Sequence, residues 1–155
     1  MKFIHTSDWH IGLKPKVAAE AGAELAAARF RAVKKIRDLA NSEQVDFTLV
    51  AGDMFDSHGI GTHPIQELKA ILEGFSQPIY VIPGNHDHWT VEGFWGLVKQ
   101  CWPANVHVLS ESEPVNVKGG MLFPCPLLQK MTPSDPLAWI PKRQGKEIRI
   151  SLAYG

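Results

Sequence analysis

The stretch Asp46-Phe47-Thr48-Leu49-Val50-Ala51-Gly52-Asp53-Met54-Phe55-Asp56 is a short apolar run that stops at a glycine and meets carboxylates at once. Its length and apolar content predict a buried strand, ended by Gly52. Asp53 and Asp56 then stand just beyond the strand's carboxyl end. Two other stretches share this layout. Lys2-Phe3-Ile4-His5-Thr6 runs into Ser7-Asp8-Trp9-His10. Ile79-Tyr80-Val81-Ile82, stopped by Pro83-Gly84, runs into Asn85-His86-Asp87-His88. Three buried-type strands thus each end in a cluster of metal-type ligands.

Helical patterns separate these strands. From about Glu24 to Asn41, Ala26, Phe30, Val33 and Ala40 recur at helical spacing, with Arg and Lys between them. Pro64 fits the first turn of a second helix running to about Phe75, and Gln77-Pro78 breaks it. Val91 to Gln100 predicts a short third helix. Strands alternating with helices imply a parallel sheet covered by helices. The character changes after Trp102-Pro103. Val106–Leu109, Val115–Val117, Met121–Phe123 and Ile148–Leu152 are short β-prone pieces, expected to belong to a second sheet. A proline-rich loop lies between Pro124 and Pro141. No internal repeat or low-complexity segment interrupts this order.

In open α/β sheets, sites form beyond the carboxyl ends of parallel strands. Three such ends side by side would gather Asp8, His10, Asp53, Asn85 and His86. Carboxylate, imidazole and amide oxygen suit manganese, iron or zinc better than a thiolate-seeking ion. A carboxylate has two oxygens, so one Asp can bridge two cations. Gly52 and Gly84 permit tight turns that aim these side chains at one point. Each segment alone says little, because Asp-x-His arises by chance and Gly-Asp is usually a turn. Their order, each after a strand, makes the set specific.

The other polar residues read as ordinary. His5 and His107 lie inside strands and are expected to be structural; His58, His63 and His88 are expected in loops. Trp9 and Trp89 flank the motifs, where packing the rim outweighs stacking a base. The chain has 155 residues, enough for a core, with 45% apolar and 21% charged residues. No run approaches the roughly 20 apolar residues of a membrane span. The start carries no signal-peptide pattern. Cys101 and Cys125 match no zinc or disulfide framework and read as buried free thiols in a reducing cytoplasm. Formal net charge is zero, so charge by itself does not point to nucleic acid. Arg29-Phe30-Arg31 with Lys34-Lys35 reads as a solvated helix face, and Lys142-Arg143 as a loop.

The sequence resembles the calcineurin-like metallophosphoesterase superfamily. Within it, Phe3 to Gly12 and Gly52-Asp53-Met54-Phe55-Asp56 are similar to the SbcD-type DNA repair exonuclease branch. The likeness is close from Met1 to about Leu109 and looser beyond. It implies a layered α/β/β/α sandwich, incomplete here at the C-terminus, and one domain over residues 1–155. It implies two divalent cations, manganese first, with iron or zinc as alternatives. Asp8 and His10 match ligands of the first cation, Asp53 the bridging carboxylate and Asn85 a ligand of the second. His86 matches the histidine that faces the scissile phosphate, and Asp56 the carboxylate that orients it. The implied reaction is phosphoester hydrolysis, with DNA as substrate. The resemblance also carries an ATPase partner protein, a homodimer and a cytoplasmic location, and no membrane.

The family pattern continues with a His-Gly at a later strand end and a Gly-His-x-His beyond it. Here Ile148 to Gly155 resembles the strand leading to the first, with Tyr154 where the histidine would stand. A phenol with a pKa of about 10 is a poor ligand at neutral pH. The second pair has no counterpart. The second cation therefore keeps only Asp53 and Asn85, and the chain reads as the N-terminal portion of the family's catalytic domain. The alternatives are a small-substrate phosphoesterase and a degenerate domain with weak or no catalysis. Ser57-His58 follows Asp56 where the superfamily's protein phosphatases have Arg-Gly, which disfavours a phosphoprotein substrate.

Overall fold

The computed structural model describes residues 1–14, 19–90, 94–131 and 134–154. Its order is β1 Phe3–Thr6, α1 Ala19–Ser42, β2 Phe47–Ala51, α2 Thr62–Leu72, β3 Ile79–Ile82, α3 Phe94–Cys101, β4 Val106–Val108, β5 Val115–Val117, β6 Gly120–Cys125 and β7 Arg149–Ala153. Strands β1-β2-β3-β4 form one parallel sheet in that spatial order. Strands β5-β6-β7 form a second sheet, antiparallel between β5 and β6 and parallel between β6 and β7.

Strand β2 is buried along its whole length, as its apolar run predicts. Its two faces serve two cores. Val50 joins Ile79 and Val81 of β3 against Phe30 and Val33 of α1, Leu68 and Ile71 of α2, and Trp95 of α3. Phe47, Leu49 and Ala51 face the other way, with Ile82, onto Val117, Leu122 and Leu152 of the second sheet. A strand buried on both faces reads as a continuous apolar run rather than an alternating one. The described residues therefore make three layers, helices, sheet and sheet, of the four expected for the sandwich. No helix among them is long and apolar enough to cross a membrane.

Several expectations change. Val106–Val108 does not join the second sheet; it pairs with β3 in the first, in parallel register Ile79↔Val106. The short α3 serves as a crossover, which is what a parallel partner requires. Strand β1 is not buried. It is the edge of its sheet, and Phe3 stays 38% exposed although its register partner Phe47 is covered. The second sheet packs β7 over β2, with Ile82 of β3 in the same core. Helix α1 starts before Glu24, where an alanine-rich lead-in of high helix propensity extends it. His63 is the second residue of α2 rather than a loop residue. Cys125 is buried, but Cys101 is exposed at the end of α3; both are free. Val91, the expected start of the third helix, and Gly155 lie outside the described residues.

Candidate metal centre

Beyond the ends of β1 and β2 the two loops zip together. Asp8 N–H donates to Gly52 O at 3.2 Å, His10 N–H to Asp53 O at 3.0 Å and Ile11 N–H to Met54 O at 3.0 Å. Asp56 N–H donates back to Ile11 O at 3.1 Å. This pairing holds Asp8, His10 and Asp53 at φ of 57°, 44° and 50°, and Gly52 at 83°. Left-handed backbone at a non-glycine residue costs on the order of 1 kcal/mol or more and persists only where neighbours over-determine it. Here the paired loops do so, and the three residues they strain all carry metal-type side chains.

The third loop docks through two carboxylates. Asp53, 1% exposed at its side chain, accepts His86 N–H at Oδ1, 2.9 Å away. Asp87 is fully buried and accepts Gly84 N–H at 2.7 Å and Phe55 N–H at 3.0 Å. Its own carbonyl accepts the Trp95 indole N–H. Asp87 thus ties the loop after β3 to the loop after β2 and to α3. Burial, with the nearby Asp53 charge, pushes its carboxyl up to about 6 against the pull of the Gly84 and Phe55 N–H groups.

The side chains then converge. His10, Asp53 and His86 offer ligand atoms within 4.8 Å of one another. His10 Nε2 faces Asp8 Oδ1 at 3.6 Å and Asp53 Oδ2 at 3.9 Å, while its Nδ1 lies 3.4 Å from Asp56 Oδ1. The His86 ring meets the His10 ring edge-on, with centroids 4.9 Å apart. His86 Nδ1 sits 2.9 Å from the Asp56 carbonyl and 3.8 Å from its carboxylate. The Asp56 side chain is therefore nearer His10 than His86. Asn85 is half-buried between Gly84 and His86, on the loop that Asp53 and Asp87 pin.

This donor set fits a hard divalent cation. Three carboxylates and two imidazoles crowd one place, a like-charge arrangement that a cation relieves. His10 Nδ1 is buried without a hydrogen-bond partner, yet the ring aims Nε2 at two carboxylates and Nδ1 at a third. That is the orientation of a ligating imidazole backed by a carboxylate. Asp8, His10 and Asp53 would hold the ion.

Two residues that sequence reasoning gave no role complete the site. Asp87 was legible only as one more acidic residue; a carboxylate three positions after a strand-ending glycine was the available signal. Tyr154 reads in sequence as a mismatch. In the structure, its hydroxyl donates to Asp53 Oδ2 at 2.7 Å and reaches Asp8 Oδ1 at 3.3 Å. Burial and the Asp53 carboxylate push its phenol well above the usual tyrosine range. The remaining candidates stand aside. His58 and His88 pair with each other, rings 4.5 Å apart, and burial lowers His58 below the usual histidine range. His5 and His107 are exposed on their strands rather than packed in a core. Trp9 is buried, with its indole N–H on Thr6 Oγ1, so it packs the rim. Trp89 packs against the helix-side core.

A Cβ at Gly84 would lie 2.2 Å from Asp53 Oδ1 and 2.4 Å from Asp53 N. Gly84→Ala is therefore expected to displace Asp53 and weaken Mn²⁺ binding about 10- to 100-fold, the usual cost of disturbing what supports a ligand. Titration calorimetry checks this; an unchanged affinity would mean that the loop absorbs the methyl group.

A model of the calcineurin-like phosphoesterase family matches residues 1–147. The uncharacterized metallophosphoesterase YhaO of Bacillus subtilis is 34% identical over 122 residues, 74% of this chain and 29% of the relative. A subunit of the nuclease SbcCD from Staphylococcus saprophyticus is 34% identical over 93 residues, 56% of this chain and 23% of the relative. The corresponding SbcCD nuclease subunit from Bacillus subtilis is 29% identical over 94 residues, 57% of this chain and 22% of the relative. The chain thus spans under a third of the length of these curated relatives. The match over residues 1–147, on a parallel sheet whose strand ends gather carboxylates and imidazoles, makes the chain a member of the calcineurin-like phosphoesterase family.

Proposed function

We propose that this chain carries the metal-binding part of a phosphodiesterase that cleaves DNA, as an exonuclease or endonuclease, with a two-metal centre. The observation that supports this most is the convergence of His10, Asp53 and His86 within 4.8 Å at the carboxyl ends of parallel strands. The likeness to relatives named as parts of a nuclease directs the reading to DNA. Asp8, His10 and Asp53 take the first cation, and Asp53 with Asn85 the second; manganese is preferred over iron or zinc. Bound divalent cations polarise the phosphoryl oxygens and make water a nucleophile at neutral pH. The protein's own part is orientation and proton handling. The Asp56 carboxylate steadies the His10 ring through Nδ1. The Asp56 carbonyl accepts from His86 Nδ1–H, leaving Nε2 of this half-exposed ring to donate to the departing oxygen. An ATPase partner protein, a homodimer and a cytoplasmic location belong to the same proposal.

A second reading, a small-substrate phosphoesterase, has its own support. Formal net charge is zero. Of the basic cluster on α1, Arg29 bonds the Trp9 carbonyl, Arg31 pairs with Glu24 and Lys34 with Glu67. Those cations are occupied within the chain rather than offered to a phosphate backbone. Turnover of single- and double-stranded DNA against bis-p-nitrophenyl phosphate, with Asp53→Asn as control, separates the two. DNA cleavage abolished in the control is the expected result. Cleavage of the small ester alone would favour the second reading, and activity surviving Asp53→Asn would place the chemistry elsewhere.

A further inference from the structure

We propose that the Tyr154 hydroxyl is a latch on the metal centre, competing with a cation for the Asp8 and Asp53 oxygens and so setting how tightly the chain loads metal. The proposal rests on the metal reading above and concerns a residue that departs from the family pattern.

Its basis is that the same atoms are claimed twice. Tyr154 Oη lies 2.7 Å from Asp53 Oδ2 and 3.3 Å from Asp8 Oδ1. These are the two oxygens that His10 Nε2 faces at 3.9 Å and 3.6 Å. Asp53 Oδ1 also accepts His86 N–H, and the oxygen turned toward His10, where the first cation would sit, is Oδ2. The hydroxyl holds it.

The ring is seated to do so. A Cβ at Gly52 would lie 2.5 Å from Tyr154 Cδ2, so the ring occupies the space that this glycine leaves open. Gly52 also has φ of +83° and sits directly before Asp53. One residue thus lets the loop turn and lets the phenol lie across it. Strand β7, packed over β2 through Leu152 and aligned on β6, delivers the side chain from the second sheet.

Loading proceeds without breaking a covalent bond in the latch. The O–H···O contacts to Asp53 and Asp8 are given up, the phenol keeps its proton and turns to water, and the freed carboxylate lone pairs take the cation. A hydrogen bond to a charged acceptor is stronger than a neutral one, so the competition is a real brake on binding.

Mn²⁺ titration of the 155-residue chain and of Tyr154→Phe tests this. The variant is expected to bind about tenfold more tightly, because its ring keeps the seat but no longer occupies the carboxylates. Tyr80→Phe should leave the affinity unchanged; Tyr80 is the chain's other tyrosine and stacks on His107. In the wild type, adding Mn²⁺ should perturb the near-ultraviolet tyrosine spectrum without a phenolate band, a readout that stands even if Tyr154→Phe folds poorly. Weaker binding by the variant, or a phenolate band, would make Tyr154 a ligand and overturn the latch. Equal, measurable affinities would overturn the latch alone. Absence of Mn²⁺ binding in both chains would overturn the metal reading, and the latch with it.

Discussion

Asp53→Asn is expected to lower phosphodiester turnover at least about a thousandfold, which is several kcal/mol of lost transition-state stabilisation. The side chain is 1% exposed and sits where the three strand-end loops meet. Its two oxygens have separate tasks. Oδ1 receives His86 N–H at 2.9 Å and so positions the third loop. Oδ2 faces His10 Nε2 and the Tyr154 hydroxyl. An amide can keep an oxygen on the first partner, so the loop stays in place. It cannot supply the negative charge that a divalent cation requires. The variant should therefore fold, and without metal it should be as stable as the wild type or more so, since one charge leaves a crowded acidic site. Mn²⁺ should raise the melting temperature of the wild type and not of the variant, because only a ligand bound to the native state shifts the folding equilibrium. A metal-induced rise of equal size in both chains would remove Asp53 from the centre.

Replacing Asp87 should produce the largest loss of stability. Asp87→Ala leaves the Gly84 and Phe55 N–H groups buried without acceptors, at roughly 1–3 kcal/mol each, and a cavity as well. A total of about 3–5 kcal/mol is expected from denaturant unfolding, together with loss of metal binding as the third loop comes free. Asp87→Asn keeps an acceptor for only one of the two N–H groups, so it is also destabilising, and the charge is isolated by the pH dependence. The folded pKa is raised from 3.8 to about 6, so the native state holds the proton more tightly than the unfolded chain. That contribution favours folding below about pH 4 and is lost as pH rises through about 6. Raising the carboxyl from 3.8 to about 6 corresponds to about 3 kcal/mol. Between pH 4 and pH 7 the stability difference should move by that amount in favour of Asp87→Asn, which has no carboxylate to bury. Parallel pH curves for the two chains would show that the carboxylate carries no such penalty.

Much of the fold is legible because local patterns agree with it. The apolar runs at Phe47–Ala51 and Ile79–Ile82 are strands, buried on both faces as such runs should be. Phe30, Val33 and Ala40 line the inner face of α1 as their spacing predicts. What misleads is strand partnership. Val106–Val108 follows a Trp-Pro break that looks like the entrance to a second sheet, yet it closes the first one beside β3. A three-residue strand carries no signature of its partner; pairing is decided by which edge is open and by which crossover reaches it. The exposure of β1 has the same origin. Phe3-Ile4-His5-Thr6 looks like an interior strand, but burial depends on what lies over it.

At the site, the residue types and their order after three strands are a property of the sequence alone. Asp8, His10, Asp53, Asn85 and His86 could be set on adjoining loops because parallel strands align their carboxyl ends. The tertiary structure decided which atoms meet. It turned Asp56 toward His10 more than His86, made Asp87 the tie between loops, and laid Tyr154 from the opposite sheet across the carboxylates of Asp8 and Asp53. The Tyr154 contacts join residues 146 and 101 positions apart in the chain. Periodicity and local motifs describe near neighbours, whereas contacts at such separations are set by how whole sheets stack. A residue that reads as a missing ligand in one dimension therefore becomes, in three, a hydroxyl bound to the carboxylates of Asp53 and Asp8.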